Sequence, residues 1–257
     1  MIRRKISTRL LIKGALIEET YAAFKSWNLD KSTKTNLENI RKNNLIGAKN
    51  EKWLNEIIRT LSSRFTDTMD FTPLVILAQG GFIIDKWKPC LLCHIGFTDE
   101  LYYRFATEWL FDQYKNGAIM LRTDNVIPFA MEITEGRIAS GKKLSEYGTK
   151  RVAQDLLRMA AAFGLLSGRT KRQFESYHLA DESFLYILHA IAEHEPNAYR
   201  IIHSPYWKLF LMSPGDVEGE LFRLHQYRKL EYEVAGTLAH LKLPYRILVD
   251  YAKEIVS

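Results

Sequence analysis

The sequence predicts a mainly α-helical protein with small β-hairpins, arranged as a helical bundle that carries winged helix-turn-helix elements. Three observations lead to this fold class. Apolar residues recur at helical spacing through most of the 257 residues, with short breaks at glycine or proline. Two stretches, 165–179 and 230–243, instead alternate apolar and polar residues as β-hairpins do. The hydrophobic content of 47% is sufficient for a packed core.

The first part of the chain contains five predicted helices. They cover residues 14–27, 35–43, 50–65, 70–84 and 85–95. The second and third are joined by a tight connection, so this pair is similar to a helix-turn-helix. On the third helix, Lys52, Asn55 and Arg59 fall opposite the apolar face and form a candidate second DNA contact.

The next helix is predicted from Thr98 to Tyr114, with Thr98 as its N-cap and acids in its first turn. A further helix covers 124–135. We expect a domain boundary near Gly96, with an N-terminal helical domain of residues 1–96 and a C-terminal domain of residues 97–257. Within the latter, a basic winged helix is expected over about 97–180 and a second, acidic winged element over about 200–257.

Positive charge is concentrated between residues 137 and 173. Nine basic residues in this segment are opposed by Glu146 and Asp155, which gives +7, whereas the whole chain carries +6. The nine are Arg137, Lys142, Lys143, Lys150, Arg151, Arg158, Arg169, Lys171 and Arg172. Because the rest of the chain is nearly neutral, the concentration indicates a surface for nucleic acid.

A helix is predicted within this segment, with Thr149 as its N-cap and Gly164 just after its end. Its apolar face holds Val152, Leu156, Met159, Ala160 and Phe163, and its opposite face holds Lys150, Arg151, Gln154 and Arg158. Ala161 and Ala162 are small enough to let the wall of a DNA groove approach. The N–H groups and dipole at the helix start would also favour a phosphate.

Residues 165–179 then predict a hairpin with a basic tip over 167–173. Helix, glycine, strand, basic tip and strand follow one another as in a winged helix-turn-helix, whose helix enters the major groove. The predicted DNA-binding residues are Thr149, Lys150, Arg151, Gln154, Arg158, Arg169, Lys171 and Arg172, together with Lys142 and Lys143. One glutamine among cations gives little base readout, so contacts should be mostly to the backbone, with weak sequence preference.

The same order of elements recurs near the C-terminus. A helix is predicted from Ser213 to Tyr227, followed by a hairpin that turns at Ala235 and Gly236. Acids occupy the start of this helix, at Asp216, Glu218 and Glu220, and would repel phosphate. This copy is therefore predicted to be structural or to contact proteins.

Motifs for catalysis or cofactors are not assembled in the sequence. Cys90-Leu-Leu-Cys93-His94 matches a haem-attachment pattern, but its apolar neighbours favour a buried helix with inert thiols. His189 and His194 are five residues apart, which is the wrong spacing for a metallopeptidase. We therefore expect no enzyme, cofactor, metal or small-molecule substrate. No secretory signal and no bilayer-spanning stretch is recognisable, which predicts a cytoplasmic protein without a membrane partner.

Three runs carry a family resemblance. They are STRLLIKGALIEETY at 7–21, NIRKNNLI at 39–46 and IIRTLSSRF at 57–65. With these runs the chain resembles the BrxA family, small proteins of bacteriophage exclusion (BREX) defence systems. The resemblance implies a helical fold with winged-helix character, binding to double-stranded DNA, and a role beside other BREX proteins, including a methyltransferase and an ATPase. It supplies no catalytic residues.

Together, charge and resemblance predict a non-enzymatic double-stranded DNA-binding component of an antiphage defence system. Two alternatives remain open. The acidic second element would suit a protein-interaction scaffold within the defence complex. An RNA-binding helical factor is the other, because A-form and B-form helices both present phosphates.

Overall fold

The computed structural model describes residues 6, 13–65, 69–135, 144–236 and 238–257. Within these ranges the chain is mainly α-helical, and its sheets are two small antiparallel hairpins. The predicted fold class is therefore confirmed. Arg137, Lys142 and Lys143 lie outside the described residues, as do residues 7–12 of the first family run.

The N-terminal part is built from five helices, as predicted. They are α1 (Ile17–Lys25), α2 (Thr33–Asn43), α3 (Glu51–Arg64), α4 (Thr72–Gln79) and α5 (Ile84–Thr98). The connection between α2 and α3 is tight because Asn44 adopts a left-handed conformation and its side chain bonds the main chain of Ala48. Asn50 then caps α3 by accepting from the Trp53 N–H at 2.8 Å.

The predicted helix from Thr98 to Tyr114 is wrong at its start. Thr98 is the last residue of α5, and its hydroxyl donates to the His94 carbonyl at 2.9 Å. Asp99 is the N-cap instead, since its carboxylate accepts from the Tyr102 N–H at 2.9 Å. The helix continues as α6 (Glu100–Arg104), a π-helical stretch (Phe105–Leu110) and α7 (Phe111–Lys115).

The predicted helices and hairpins follow in their predicted order, and four further helical elements, for which there was no prediction, accompany them. They are α8 (Thr123–Thr134), α9 (Glu146–Ala162), β1 (Leu166–Ser167), β2 (Gln173–Phe174), α10 (Asp181–Ala192), α11 (Ala198–Ile202), a 3₁₀-helix (Pro205–Phe210), α12 (Pro214–Gln226), β3 (Glu231–Ala235), β4 (Leu238–Lys242) and α13 (Leu248–Glu254). β1 pairs with β2, and β3 pairs with β4. Gly236 lies in the turn of the second hairpin with φ +63°, as its sequence position suggested.

The core joins elements that are distant in sequence. α13 packs against α4, and α10 packs against α5. Gly96 lies inside α5, and a Cβ at this position would collide with the Leu209 side chain. The expected boundary near Gly96 thus falls within a buried helix, and the division into two domains stays a prediction.

Candidate nucleic-acid interface

Helix α9 begins one turn earlier than predicted. Its N-cap is Ser145, whose hydroxyl accepts from the Gly148 N–H at 3.1 Å. Thr149 is inside the helix, only 6% exposed, and its hydroxyl donates to the Ser145 carbonyl at 3.1 Å. The prediction of Thr149 as N-cap is therefore wrong. Because α9 starts at Glu146, its free N–H groups belong to the first four residues of the helix. Lys150 and Arg151 lie beyond these groups, which the sequence had suggested as a phosphate site.

The end of α9 is as predicted. Gly164 has φ +82°, and its N–H donates to the Ala161 carbonyl, while the Leu165 N–H donates to the Ala160 carbonyl, both at 3.0 Å. This pair of bonds closes the helix and directs the chain into β1. The glycine is needed here because a left-handed backbone is unfavourable for other residues.

The predicted faces of α9 are confirmed. The apolar stripe of Val152, Leu156, Met159, Ala160 and Phe163 is buried, and Lys150, Arg151, Gln154 and Arg158 are exposed. Within the described part of the chain, Lys150 and Arg151 form no ion pair. Lys150 also lines a cavity of about 610 Å³ between α8 and α9, together with the acids Asp124 and Glu146.

Arg158 differs from the other cations of the face. Its guanidinium Nη2 lies 2.6 Å from Oδ1 of Asp155, a residue that is only 4% exposed. Burial raises the pKa of Asp155, and the charges of Arg158 and Arg151 partly oppose that rise. The Arg158 side chain also approaches Gly14, at the entry to α1. It is therefore held by the protein itself.

The hairpin after α9 presents its basic tip as predicted. Leu166 pairs with Phe174 and Ser167 with Gln173, which leaves residues 168–172 as the tip. Arg169 and Lys171 are exposed. Gly168 has φ +84°, and a Cβ there would collide with the Lys171 carbonyl oxygen, so the tip requires glycine at this position.

Arg172 anchors the tip. Its main chain forms a bridge with Leu121. The Leu121 N–H donates to the Arg172 carbonyl at 2.8 Å, and the Arg172 N–H donates to the Leu121 carbonyl at 2.9 Å. Its guanidinium donates to the Gly168 carbonyl at 3.0 Å. Burial lowers the pKa of Arg172, and the nearby positive charge of Arg158 lowers it further. The base of the hairpin therefore lies beside the C-terminal half of α9.

Tyr147 was missed by the charge-based reasoning. It is 73% exposed and precedes Arg151 by one helical turn, on the same face as Gln154. A large exposed aromatic ring in a basic surface can contact a sugar or base, whereas a search for cations passes over it. Its sequence position gives one signal: Tyr147 lies two residues after the N-cap Ser145, in the first turn of α9.

The candidate second contact lies on α3. Lys52, Asn55 and Arg59 are all exposed, as predicted. Asn55 and Arg59 line a cleft between α2 and α3, and Lys52 lies outside it. Arg59 Nη1 is 3.6 Å from Oε1 of Glu56, an exposed pair that contributes little energy.

The acids at the start of α12 have partners within the protein. Asp216 accepts from the Ser213 N–H at 2.8 Å in a capping box, and Glu218 accepts from the Tyr232 hydroxyl at 2.7 Å. Glu220 lies 2.7 Å from Arg223. The acids at this helix start therefore stabilise the element itself.

A second set of contacts ties α12 to α10. Asp181 accepts from Arg223 and, at 2.8 Å, from Lys229. Hydrogen bonds from Arg223 lower the pKa of Asp181 to about 2. The network fixes the start of α10 against α12 and the residues that follow it.

The residues of the candidate metal and haem motifs are part of the core. Cys90, Cys93 and His94 are buried in α5, and burial raises the pKa of both thiols. His189 is buried as well, with Nδ1 2.7 Å from the Leu185 carbonyl. Among the residues that the structure describes, no His, Cys, Asp or Glu group is arranged to hold a metal ion. Each helix in the described ranges is too short or too polar to cross a bilayer.

A family model described as BrxA matches residues 4–190, a range that includes α9 and the basic hairpin and ends within α10. The acidic copy lies beyond the matched range. No curated protein and no solved structure matches the chain.

Proposed function

Because this chain belongs to the BrxA family, components of bacteriophage exclusion (BREX) antiphage defence systems, we propose that it is a non-enzymatic subunit that binds double-stranded DNA. The observation that carries the proposal is the arrangement of α9 and the β1–β2 hairpin. Exposed cations on both elements lie on adjoining surfaces, and Arg158 and Arg172 stand where the two meet. Such a surface matches the charge of a phosphate backbone.

The order of elements supports a winged helix-turn-helix over residues 100–174. α8 and α9 pack together, β1 and β2 follow α9 directly, and Leu121 adds a bridge to the hairpin through Arg172. In this proposal α9 lies in or along the major groove and the tip contacts a neighbouring phosphate. Tyr147, Arg151 and Gln154 are the side chains of α9 that would face the groove.

The binding should depend little on sequence. Lys150, Arg151, Arg169 and Lys171 are exposed cations of this surface, and Gln154 is the amide among them. Cations that contact phosphates set position and affinity, whereas base discrimination needs bidentate contacts in the groove. We therefore expect one duplex to compete with another of different sequence within a few-fold.

Fluorescence anisotropy with a labelled duplex of about 20 base pairs tests the proposal. Binding in the micromolar range or tighter at 50 mM salt is expected, with weaker binding of an RNA duplex because α9 cannot enter its narrow major groove. Absence of duplex binding at 50 mM salt would contradict the proposal. Equal or tighter binding of the RNA duplex would favour the RNA-binding alternative.

A second candidate function is contact with other BREX proteins through α12 and the β3–β4 hairpin. The supporting observation is that the outward face of α12 is uncharged at Gly215, Gly219 and Phe222, while its acids have internal partners. Capture of BREX subunits by the tagged protein should then be reduced by Phe222→Arg and unaffected by Arg151→Glu. Loss of capture with Arg151→Glu alone would assign partner contact to the basic surface instead.

A further inference from the structure

An open cleft of about 950 Å³ lies between α2 and α3, away from α9 and the basic hairpin. One wall comes from α2, with Lys34, Glu38 and Arg41 along a single face. The opposite wall comes from α3, with Asn55 and Arg59. Its volume is in the range of pockets that hold a molecule of drug or nucleotide size.

The described lining of the cleft is positively charged. Lys34, Arg41 and Arg59 contribute three charges and Glu38 removes one, which leaves +2 for the lining; Glu56, which pairs with Arg59 at 3.6 Å, is outside the lining. Within the described residues, Lys34 and Arg41 form no ion pair. The N-terminal end of α2 opens into the same space at Ser32 and Thr33, and its first turn contains no acid, so the helix dipole adds to the positive potential.

The cleft also has an apolar floor and neutral hydrogen-bonding groups. The floor is formed by Leu37, Ile58 and Phe65, and of these Ile58 is partly exposed. Hydroxyls of Ser62 and Ser63 line the α3 wall. Leu37 and Phe65 are buried, so Ile58 is the apolar side chain that a ligand would contact, and a ligand that suits this lining combines an anionic group with an apolar part and with hydroxyls.

We propose that this cleft binds a nucleotide that bears a terminal phosphomonoester. A phosphomonoester carries a charge of about −1.5 to −2 at pH 7, which matches the +2 of the described lining, whereas each phosphodiester of DNA carries −1. The cations hold the phosphate, the base lies over Ile58, and Glu38 accepts from a sugar hydroxyl. The site is separate from α9 and does not rest on duplex binding.

The ligand has two sources with the same chemistry: a free nucleotide, or the 5′-phosphorylated end of a DNA strand. Isothermal titration calorimetry of the full chain with adenosine 5′-monophosphate should show saturable binding, and adenosine should bind at least about tenfold more weakly. A single-stranded oligonucleotide with a 5′-phosphate should compete, and the same oligonucleotide with a 5′-hydroxyl should not. If the phosphorylated strand competes more strongly than the mononucleotide, the strand end is the ligand; if more weakly, the free nucleotide is.

Variants assign the binding to the cleft. Lys34→Ala combined with Arg41→Ala should weaken binding of adenosine 5′-monophosphate by about tenfold or more for each cation removed. Lys42→Ala is the matched control, because Lys42 is an exposed cation of the same helix that does not line the cleft. The affinity of Lys42→Ala for adenosine 5′-monophosphate should stay within twofold of the parent protein's affinity. Circular dichroism checks that each variant is folded.

Three results would overturn the proposal. The first is failure of adenosine 5′-monophosphate to bind at millimolar concentration. The second is equal affinity for adenosine, which would show that the phosphate is not recognised. The third is a loss of affinity in Lys42→Ala as large as the loss for each cation removed in the double variant, which would indicate a response to net charge. Duplex binding is measured separately with Lys150→Ala and Arg151→Ala, so failure of one proposal is distinguishable from failure of the other.

Discussion

The dependence of duplex binding on salt measures how many cations of the interface contact phosphates. Six basic residues of the proposed surface are described, but Arg158 is paired with Asp155 and Arg172 donates to the Gly168 carbonyl. Four remain exposed without such partners among the described residues: Lys150, Arg151, Arg169 and Lys171. If each neutralises one phosphate, the logarithm of affinity falls against the logarithm of salt with a slope of about −3.6.

This slope gives a measurable change. Between 50 and 200 mM salt the affinity of the parent protein should fall roughly 150-fold. In the variant Lys150→Ala with Arg151→Ala, two phosphate contacts remain. Its slope should be about −1.8, and its affinity should fall roughly 12-fold over the same salt range. Fluorescence anisotropy with one labelled duplex at four or five salt concentrations measures both slopes.

A matched double variant controls for net charge. Arg246→Ala with Lys253→Ala removes the same two charges from exposed positions in and just before α13, and its slope should remain about −3.6. An unchanged slope in the Lys150 and Arg151 variant would refute the placement of α9 against the backbone. A parent slope near −5.4 would mean that Arg158 and Arg172 also leave their internal partners to contact phosphates.

Three further predictions concern single residues. Tyr147→Ala should weaken duplex binding by about 1 kcal/mol without changing the salt slope, because the side chain carries no charge, and a changed slope would contradict this. Gly168→Ala should lower both the melting temperature and the duplex affinity, since its Cβ would collide with the Lys171 carbonyl; a normal melting curve would show that the tip adapts. The pKa of Asp181, about 2, is below its unfolded value of about 4, so Asp181 stabilises the fold above that value. Its contribution is lost as the pH falls from about 4 to 2, and thermal melts of Asp181→Asn should show a smaller loss over this range than the parent.

Helix faces and their order were readable from the sequence because they follow from periodic burial. The apolar stripe of α9, its glycine C-cap at Gly164 and the place of the basic tip agree with the pattern of residues, whereas the hairpin predicted over 165–179 has strands of only two residues each. These features are local, so a short stretch of sequence contains the information for them.

The starts of helices and the ion pairs were less predictable from the sequence, because several residues could act as the N-cap or as the partner in a pair. Ser145 and Thr149 are both good caps, and the choice depends on which is buried by the fold. Thr98 and Asp99 are both buried, and Asp99 is the cap because its carboxylate reaches the Tyr102 N–H. Asp155 precedes Arg158 by three residues, a spacing that allows an ion pair on a helix, but this spacing does not show that Asp155 is buried. The bridge between Leu121 and Arg172 joins distant main-chain atoms and has no signature in either side chain.

That bridge has a consequence for how the surface can change over evolution. The tip is fixed at its ends by the main chain of Arg172 and by the conformation of Gly168, and neither requires a particular side chain at positions 169–171. These three positions can therefore accept new residues with little cost to folding. A lineage under pressure from phages could thus vary what the tip contacts while its framework stays the same.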